Sequence, residues 1–187
     1  MELLICPAIE QGECLSSYLQ RVSNSNFISS HYLWRHVLKS NTHYPQSSIS
    51  RLVDTTPSST IDLSRLSSLL LTSRDMLENL TFMYVFRKFG VDINEINHSR
   101  ILSNLIDTNR KFCPDCISEN PHFKLIWQVT EISYCEKHGL ELNTKCSNCN
   151  NFIPILPNST DFRKCPTCDF DLSKNSRTQY VSSSKDQ

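Results

Sequence analysis

Glycine is nearly missing from this chain: three in 187 residues, at Gly12, Gly90 and Gly139. A Walker A loop needs a closely spaced glycine pair and a dinucleotide fingerprint needs three glycines in a row of turns. Neither fits, so any ATP hydrolysis in the biology belongs to another protein. An excess of one charge is missing too. Nineteen basic residues face nineteen acidic ones, ten of each in residues 1–110 and nine of each in residues 111–187. Proteins that coat DNA carry a basic excess, because released counterions drive such binding. Contact with nucleic acid should therefore be local, or made inside a larger assembly. Long apolar runs are absent as well. "LLL" at Leu69–Leu71 and "MYVF" at Met83–Phe86 fall far short of the roughly 20 residues of a membrane span. The opening "MELLICPAIE" starts with an acid and has no basic stretch, unlike a secretory signal.

Cysteine, by contrast, is abundant. Seven of the nine fall between Cys113 and Cys168, in two consecutive quartets: Cys113-x2-Cys116-x18-Cys135-x2-His138, then Cys146-x2-Cys149-x15-Cys165-x2-Cys168. A tetrahedral zinc ion takes two ligand pairs on tight knuckles with a longer loop between them, and both quartets have that spacing. Disulfides would need an oxidising compartment, and a thioredoxin-like pair would need a βαβ context that "CPDC" and "CPTC" lack. A catalytic zinc keeps one position open for water, whereas these sets are full. The deaminase signature is absent, since no His is followed by Glu two residues on. The sequence therefore predicts two structural Zn2+ ions and no enzyme, with no small-molecule substrate. His122, between the ligand pairs, reads as a loop histidine, and Cys6 and Cys14 read as small buried apolar side chains. Seven thiolates against two divalent cations take the neutral chain to about −3.

Residues 1–110 read as helical. Leu15, Tyr18, Leu19 and Val22 recur at helical spacing after Glu13, and Ser29 or Ser30 can cap a helix carrying Leu33, Trp34, Val37 and Leu38. A Ser/Thr/Pro-rich loop is expected over 40–61. Asp62 is a cap for a helix with Leu63, Leu66, Leu69 and Leu70. Thr72–Ser73 caps the next, which holds Leu77, Leu80, Tyr84 and Val85 and ends at Arg87, Lys88 and Gly90. Two helices with a tight turn suggest a helix-turn-helix. Its second helix offers Arg74 and Asn79 for groove reading, offset by Asp75 and Glu78. A last helix carries Ile101, Leu102, Leu105 and Ile106. Phe82, Tyr84, Phe86, Phe89 and Trp127 are expected in the core, because no basic stripe accompanies them. The predicted fold is a mainly α N-terminal domain with a helix-turn-helix-like segment, followed by two small tandem zinc-finger or zinc-ribbon modules. The divisions are 1–110 helical, 111–142 zinc module 1 (three cysteines and a histidine), 143–172 zinc module 2 (four cysteines), and 173–187 a disordered polar tail.

"GECLSSYLQRVSNSN" near the start, a Leu-rich segment leading into "ENLTF", and the ladder "FCPDC … W … YCEKH … L … CSNC … CPTC" together resemble the TniQ family of transposition proteins, whose longer relatives include TnsD. The resemblance covers about residues 7–170, and the ladder with Trp127 is its most specific part. The short chain is most similar to the compact TniQ proteins of CRISPR-associated transposons that use a single Cas effector subunit. The resemblance implies a bacterial cytoplasmic adaptor between an RNA-guided target complex and the AAA+ ATPase TnsC, which recruits the transposase. Implied partners are TnsC, the Cas effector with guide or tracr RNA, target DNA mainly through the assembly, and a host ribosomal small-subunit protein. Basic residues near the knuckles, Lys111, Lys124, Lys137, Lys145, Arg163 and Lys164, are the candidate RNA contacts. The alternative is a TnsD-like protein that binds DNA sequence-specifically as a target selector or regulator.

Overall fold

The computed structural model describes residues 4–39, 52–90, 104–157, 161 and 163–179. Among them are helices and isolated antiparallel bridges, with no β-strand. Helix α1 (Leu15–Ser25) buries Leu15, Tyr18, Leu19 and Val22, the face that the 3.6-residue period dictates. Ser29 caps α2 (Ser30–Val37) by accepting from the Tyr32 amide, Asp62 caps α3 (Leu63–Leu70) by accepting from Arg65, and Ser73 caps α4 (Arg74–Glu78) by accepting from Met76. Each is a short oxygen-bearing side chain one residue before the helix, where it satisfies an orphan donor. Leu33, Trp34 and Val37 of α2, Leu63, Leu66 and Leu70 of α3, and Leu77 and Leu80 share one core with α1.

The turn between α3 and α4 lacks glycine, and Leu71 takes the left-handed conformation there, at φ 51°. The single helix expected from Arg74 to Lys88 is two. α4 ends at Glu78, and α5 (Phe82–Lys88) restarts under Thr81, whose Oγ1 accepts the Met83 amide at 3.2 Å. The restart resets the helical phase. Phe82 and Met83 are buried, while Tyr84 and Phe89, expected in the core, and Val85, placed on the helix by its spacing, are exposed; Phe86, also expected in the core, is half-buried. Cys6 is exposed too, whereas Cys14 is fully buried.

The expected loop over 40–61 is the larger difference. Residues 52–55 are helical, Pro57–Ser59 form a 3-10 turn, and Ile61 bridges Leu38. Val53, Asp54, Thr56, Thr60 and Ile61 are all inaccessible to solvent. The Ser/Thr/Pro composition here serves internal hydrogen bonds rather than solvation. Residues 40–51 lie outside the described residues, as do Ile101 and Leu102 of the last expected helix. Leu105 of that helix is exposed and Ile106 is buried.

α1 starts without a side-chain cap; Cys14 is its N-cap residue. Its first amides are satisfied by three distant segments instead. Cys14 N–H donates to Phe123 O at 3.0 Å, Leu15 N–H to Leu80 O at 2.9 Å, and Ser16 N–H to Asp54 Oδ1 at 2.7 Å. The Ser16 hydroxyl donates to Asp54 Oδ2 at 2.5 Å and accepts from Arg110 Nη2 at 3.2 Å. A fully buried acid and a fully buried arginine are thus joined through one serine. Arg110 also donates to Gln20 Oε1 at 3.0 Å and to the Ile155 carbonyl, and its guanidinium lies 4.2 Å from the centre of the Phe123 ring. Gln128 Nε2 gives Asp54 a third bond at 2.6 Å. Burial pushes the Asp54 carboxyl above its ordinary range, against the pull of Ser16, Gln128 and Arg110.

Removing Arg110 would leave Gln20 Oε1 and the Ile155 carbonyl without that donor and Asp54 without a compensating charge. Arg110→Met is expected to lower unfolding free energy by about 3–5 kcal/mol. The surface change Arg163→Met should cost less than about 1 kcal/mol. Urea unfolding at saturating metal measures both; equal small losses would contradict the role of the Asp54–Ser16–Arg110 network.

Candidate metal centres and their surroundings

Four knuckles carry the eight ligand residues, and three of them repeat one backbone design. In each, the first ligand amide donates across the knuckle and its carbonyl accepts from four residues on. Cys135 N–H meets Leu140 O at 2.7 Å and Gly139 N–H meets Cys135 O at 2.8 Å. Cys146 and Asn150 repeat this, as do Cys165 and Asp169. The fourth residue after the first ligand has positive φ every time: Gly139 at 64°, Asn150 at 58°, Asp169 at 56°. Gly, Asn and Asp are the residues that tolerate the left-handed region. Bridges close the three knuckles: Tyr134 with Glu141, Lys145 with Phe152, Lys164 with Asp171. The fourth differs. Cys113 is the N-cap residue of α6 (Pro114–Glu119), with Pro114 at the first helical position, where proline's missing N–H costs nothing.

The structure brings both predicted quartets together. Within each, the donor atoms of Cys113, Cys116, Cys135 and His138, and of Cys146, Cys149, Cys165 and Cys168, lie within 4.8 Å of one another. Cys116 and Cys135 Sγ are 3.6 Å apart, and His138 Nδ1 lies 3.4, 3.3 and 3.6 Å from Cys113, Cys116 and Cys135 Sγ. In the second set Cys146–Cys168 is 3.7 Å and Cys149–Cys165 is 3.6 Å. A tetrahedral zinc ion requires ligand–ligand edges of about 3.8 Å between sulfurs and about 3.6 Å between sulfur and nitrogen. A disulfide requires about 2.05 Å, and all nine cysteines are free. The donor sets, sulfur-rich and four-cornered, fit zinc.

Groups around the ligands complete that fit. His138 turns Nδ1 to the cluster and donates Nε2–H to Glu119 Oε1 at 3.1 Å, an outer carboxylate that fixes tautomer and ring orientation. Lys137 binds the other Glu119 oxygen, and Lys137 first, then His138, hold that carboxyl below its usual range. Asn148 Nδ2 donates to Cys168 Sγ and Asn151 Nδ2 to Cys149 Sγ, each at 3.5 Å. Hydrogen bonds favour the thiolate form at two ligands: Cys113 is held down to about 5, first by Cys116, and Cys168 to about 6, first by Asn148. Cys14, fully buried, is pushed up to about 12 by that burial and stays a neutral thiol beside Arg110.

The spacing of the ligand pairs does not mark Glu119, Asn148 or Asn151. Glu119 had a signal: it follows Cys116 by three residues, one turn along the helix that Pro114 starts. His122 stays outside both quartets, with Nδ1 on the Asn120 carbonyl at 3.0 Å. The ligands are themselves core. Cys113, Cys116, Cys135, Cys146 and Cys165 pack with Phe112, Ile117, Phe123, Trp127 and Leu172. Residues 173–179, placed by the sequence in the polar tail, pack on this module: Asn175 donates to Asn143 Oδ1 and Lys145 O, Arg177 meets Asp115 at 2.6 Å, and Gln179 bridges Leu140. The tail from 180 on lies outside the described residues.

The six basic residues singled out near the knuckles fall in different settings. Lys111 is buried; its ammonium is enclosed by the carbonyls of Val129, Thr130 and Ile132 and by Asp107. Lys124 meets Glu136 at 3.2 Å, and Lys137 meets Glu119. Lys145 lies over the Phe152 ring at 4.6 Å, and Arg163 and Lys164 flank Asp161 at 3.6 and 3.8 Å.

Zinc-loaded protein is expected to hold two ions per chain, and Cys116→Ser one. Glu119→Gln should keep two but release the first about ten- to a hundredfold more readily to a chelator, read by metal analysis during chelator competition. Two tightly held ions in Cys116→Ser would overturn the ligand set.

A model of the TniQ family matches residues 4–142. That span holds α1 to α6 and the first quartet, and stops before Cys146. No curated protein gives a significant match. Within the matched span the acidic residue and the arginine of "ECLSSYLQR" pair with each other, Glu13 to Arg21 at 2.7 Å across the first two turns of α1. The match covers well over half of the chain, which therefore belongs to the TniQ family of transposition-associated proteins.

Proposed function

We propose that this protein is a non-catalytic adaptor in RNA-guided DNA transposition, linking a Cas effector and its guide or tracr RNA to the AAA+ ATPase TnsC in the bacterial cytoplasm. In this reading it holds two structural Zn2+ ions, reaches target DNA mainly through the assembly, and accommodates a host ribosomal small-subunit protein. The observation that carries it is the placement of the two quartets within a TniQ chain. Each set offers four protein ligands, three of them buried in the first and two in the second, so a bound ion keeps no open position for water or substrate. The metal centres then act as rigid supports, and function lies on the outer faces. Lys124, Lys137, Lys145, Arg163 and Lys164 are the RNA-contact set on those faces. Lys111 would contribute by holding the 129–132 loop.

The sequence-specific reader is the weaker reading. A groove-reading helix presents free polar side chains at its N-terminal end. α4 spans five residues, and Arg74 is bound to Glu78 at 2.8 Å. Arg87 binds the other oxygen of the same carboxylate. These pairs favour a structural role for that corner.

Zinc-loaded protein is expected to co-purify with TnsC and with the Cas effector–guide RNA complex on target DNA. The isolated protein should give no sequence-specific footprint at physiological salt. Absence of both associations, or a discrete footprint from the protein alone, would overturn the adaptor role.

A further inference from the structure

Most cations described on this protein are already committed. Arg21, Arg74, Arg87, Lys137 and Arg177 each meet a carboxylate, as expected of a chain with balanced charge. The cleft between α2 and α3 breaks that pattern. It is lined by Tyr32, Arg35, His36 and Arg65 and has a volume of ≈ 430 Å³, within the range of about 300–1,000 Å³ that suits small ligands. Among the described residues neither Arg35 nor Arg65 forms an ion pair. Neither lining helix contains an acid: α2 reads SHYLWRHV and α3 reads LSRLSSLL. The acid next in sequence, Asp62, is engaged as the α3 cap.

Arg35 and His36 sit in the last turn of α2, where the helix dipole favours cations. That explains their presence without a ligand. Arg65 has no such explanation. It lies in the first turn of α3, where the dipole opposes a cation; the Asp62 carboxylate there accepts the Arg65 amide, and among the described residues no carboxylate forms an ion pair with the Arg65 guanidinium. Two exposed guanidiniums without carboxylates, on facing helices, are suited to phosphate oxygens, which match the guanidinium fork in geometry and charge. Tyr32, 48% exposed, adds a half-open aromatic ring at the same cleft. It stands 4.4 Å from the His36 ring, and His36 is fixed by donation from Nδ1 to the Tyr32 carbonyl at 2.8 Å. An aromatic face beside a backbone-tracking cationic groove is the arrangement that holds unpaired bases.

We infer that the α2–α3 cleft binds a single-stranded nucleic acid, with Arg35 and Arg65 on adjacent phosphodiesters and Tyr32 stacked on a base. The site is separate from the knuckle lysines and acts whether or not the adaptor role holds. RNA and an unpaired DNA strand share this chemistry, and the test separates them.

The zinc-loaded full chain is titrated against labelled oligouridylate, oligodeoxythymidylate and a duplex of equal length, by fluorescence anisotropy across a salt series. The intact chain should bind at least one single strand more tightly than the duplex, and the tighter strand identifies the sugar. Arg35→Ala with Arg65→Ala should weaken that binding at least tenfold at low salt. It should also reduce the slope of log K against log salt by about 1.4, for two phosphates lost at about 0.7 each. Tyr32→Ala should weaken binding severalfold with the slope unchanged. The control Lys88→Ala with Lys174→Ala, two exposed cations outside both the cleft and the knuckle set, should leave the slope within half of that change. An intact chain that binds no strand, a preference for duplex, an unchanged slope in the double arginine variant, or an equal loss in the control would each overturn the assignment. TnsC co-purification is a separate readout, so failure here leaves the adaptor reading standing.

Discussion

The first turn of α1 is the point on which the rest of the fold depends. A helix start carries orphan amides, which usually bind a local cap or water. Here three consecutive N–H groups, of Cys14, Leu15 and Ser16, bind the first metal module, the α4–α5 corner and the buried Asp54. None of those partners is near in sequence. The turn can therefore form its full set of bonds only when the other segments are in place. Ser16 extends the arrangement from Asp54 to Arg110, and Arg110 reaches the Ile155 carbonyl beyond the Cys146–Cys149 knuckle of the other half. Such a network is costly when partly satisfied, which ties the helical half and the metal modules into one cooperative unit. It also gives the family motif a physical meaning: Glu13 and Arg21 brace the turn, and the serines between them carry the cross-links.

The metal-ligand half has little else to hold it. Its helix α6 is six residues long, and its antiparallel contacts are single bridges rather than ladders. Neither short helices nor isolated bridges are stable alone. Eight convergent donors would supply the missing constraint through bound metal, and their sulfurs already serve as core atoms against Phe112, Phe123 and Trp127. A metal used in this way leaves the outer faces free for recognition. The charge pattern agrees: paired ions over most of the described surface, and a cleft with unpaired arginines between α2 and α3.

The quartets were legible because a ligand pair on a knuckle is a local pattern, and a metal needs four donors whatever the fold. The caps at Ser29, Asp62 and Ser73 were legible for the same reason. What the sequence hid was long-range. Residues 52–61 look like a linker by composition, yet Asp54 and its neighbours bond to α1 and Gln128. The break at Asn79–Thr81 was hidden by an apolar spacing that continues across it, although Thr81 is a good cap. Arg110 looks like any basic residue until its partners, at Gln20 and Ile155, are known. Glu119 was within reach, one turn after Cys116 on a helix that faces His138.

Metal closure in one half should hold the first turn of α1 in the other. Amide hydrogen exchange, followed residue by residue before and after both ions are chelated, tests it most directly. Protection should be lost together across the described residues of 113–179 and at the Cys14, Leu15 and Ser16 amides. Emptied quartets with those three amides still fully protected would contradict it.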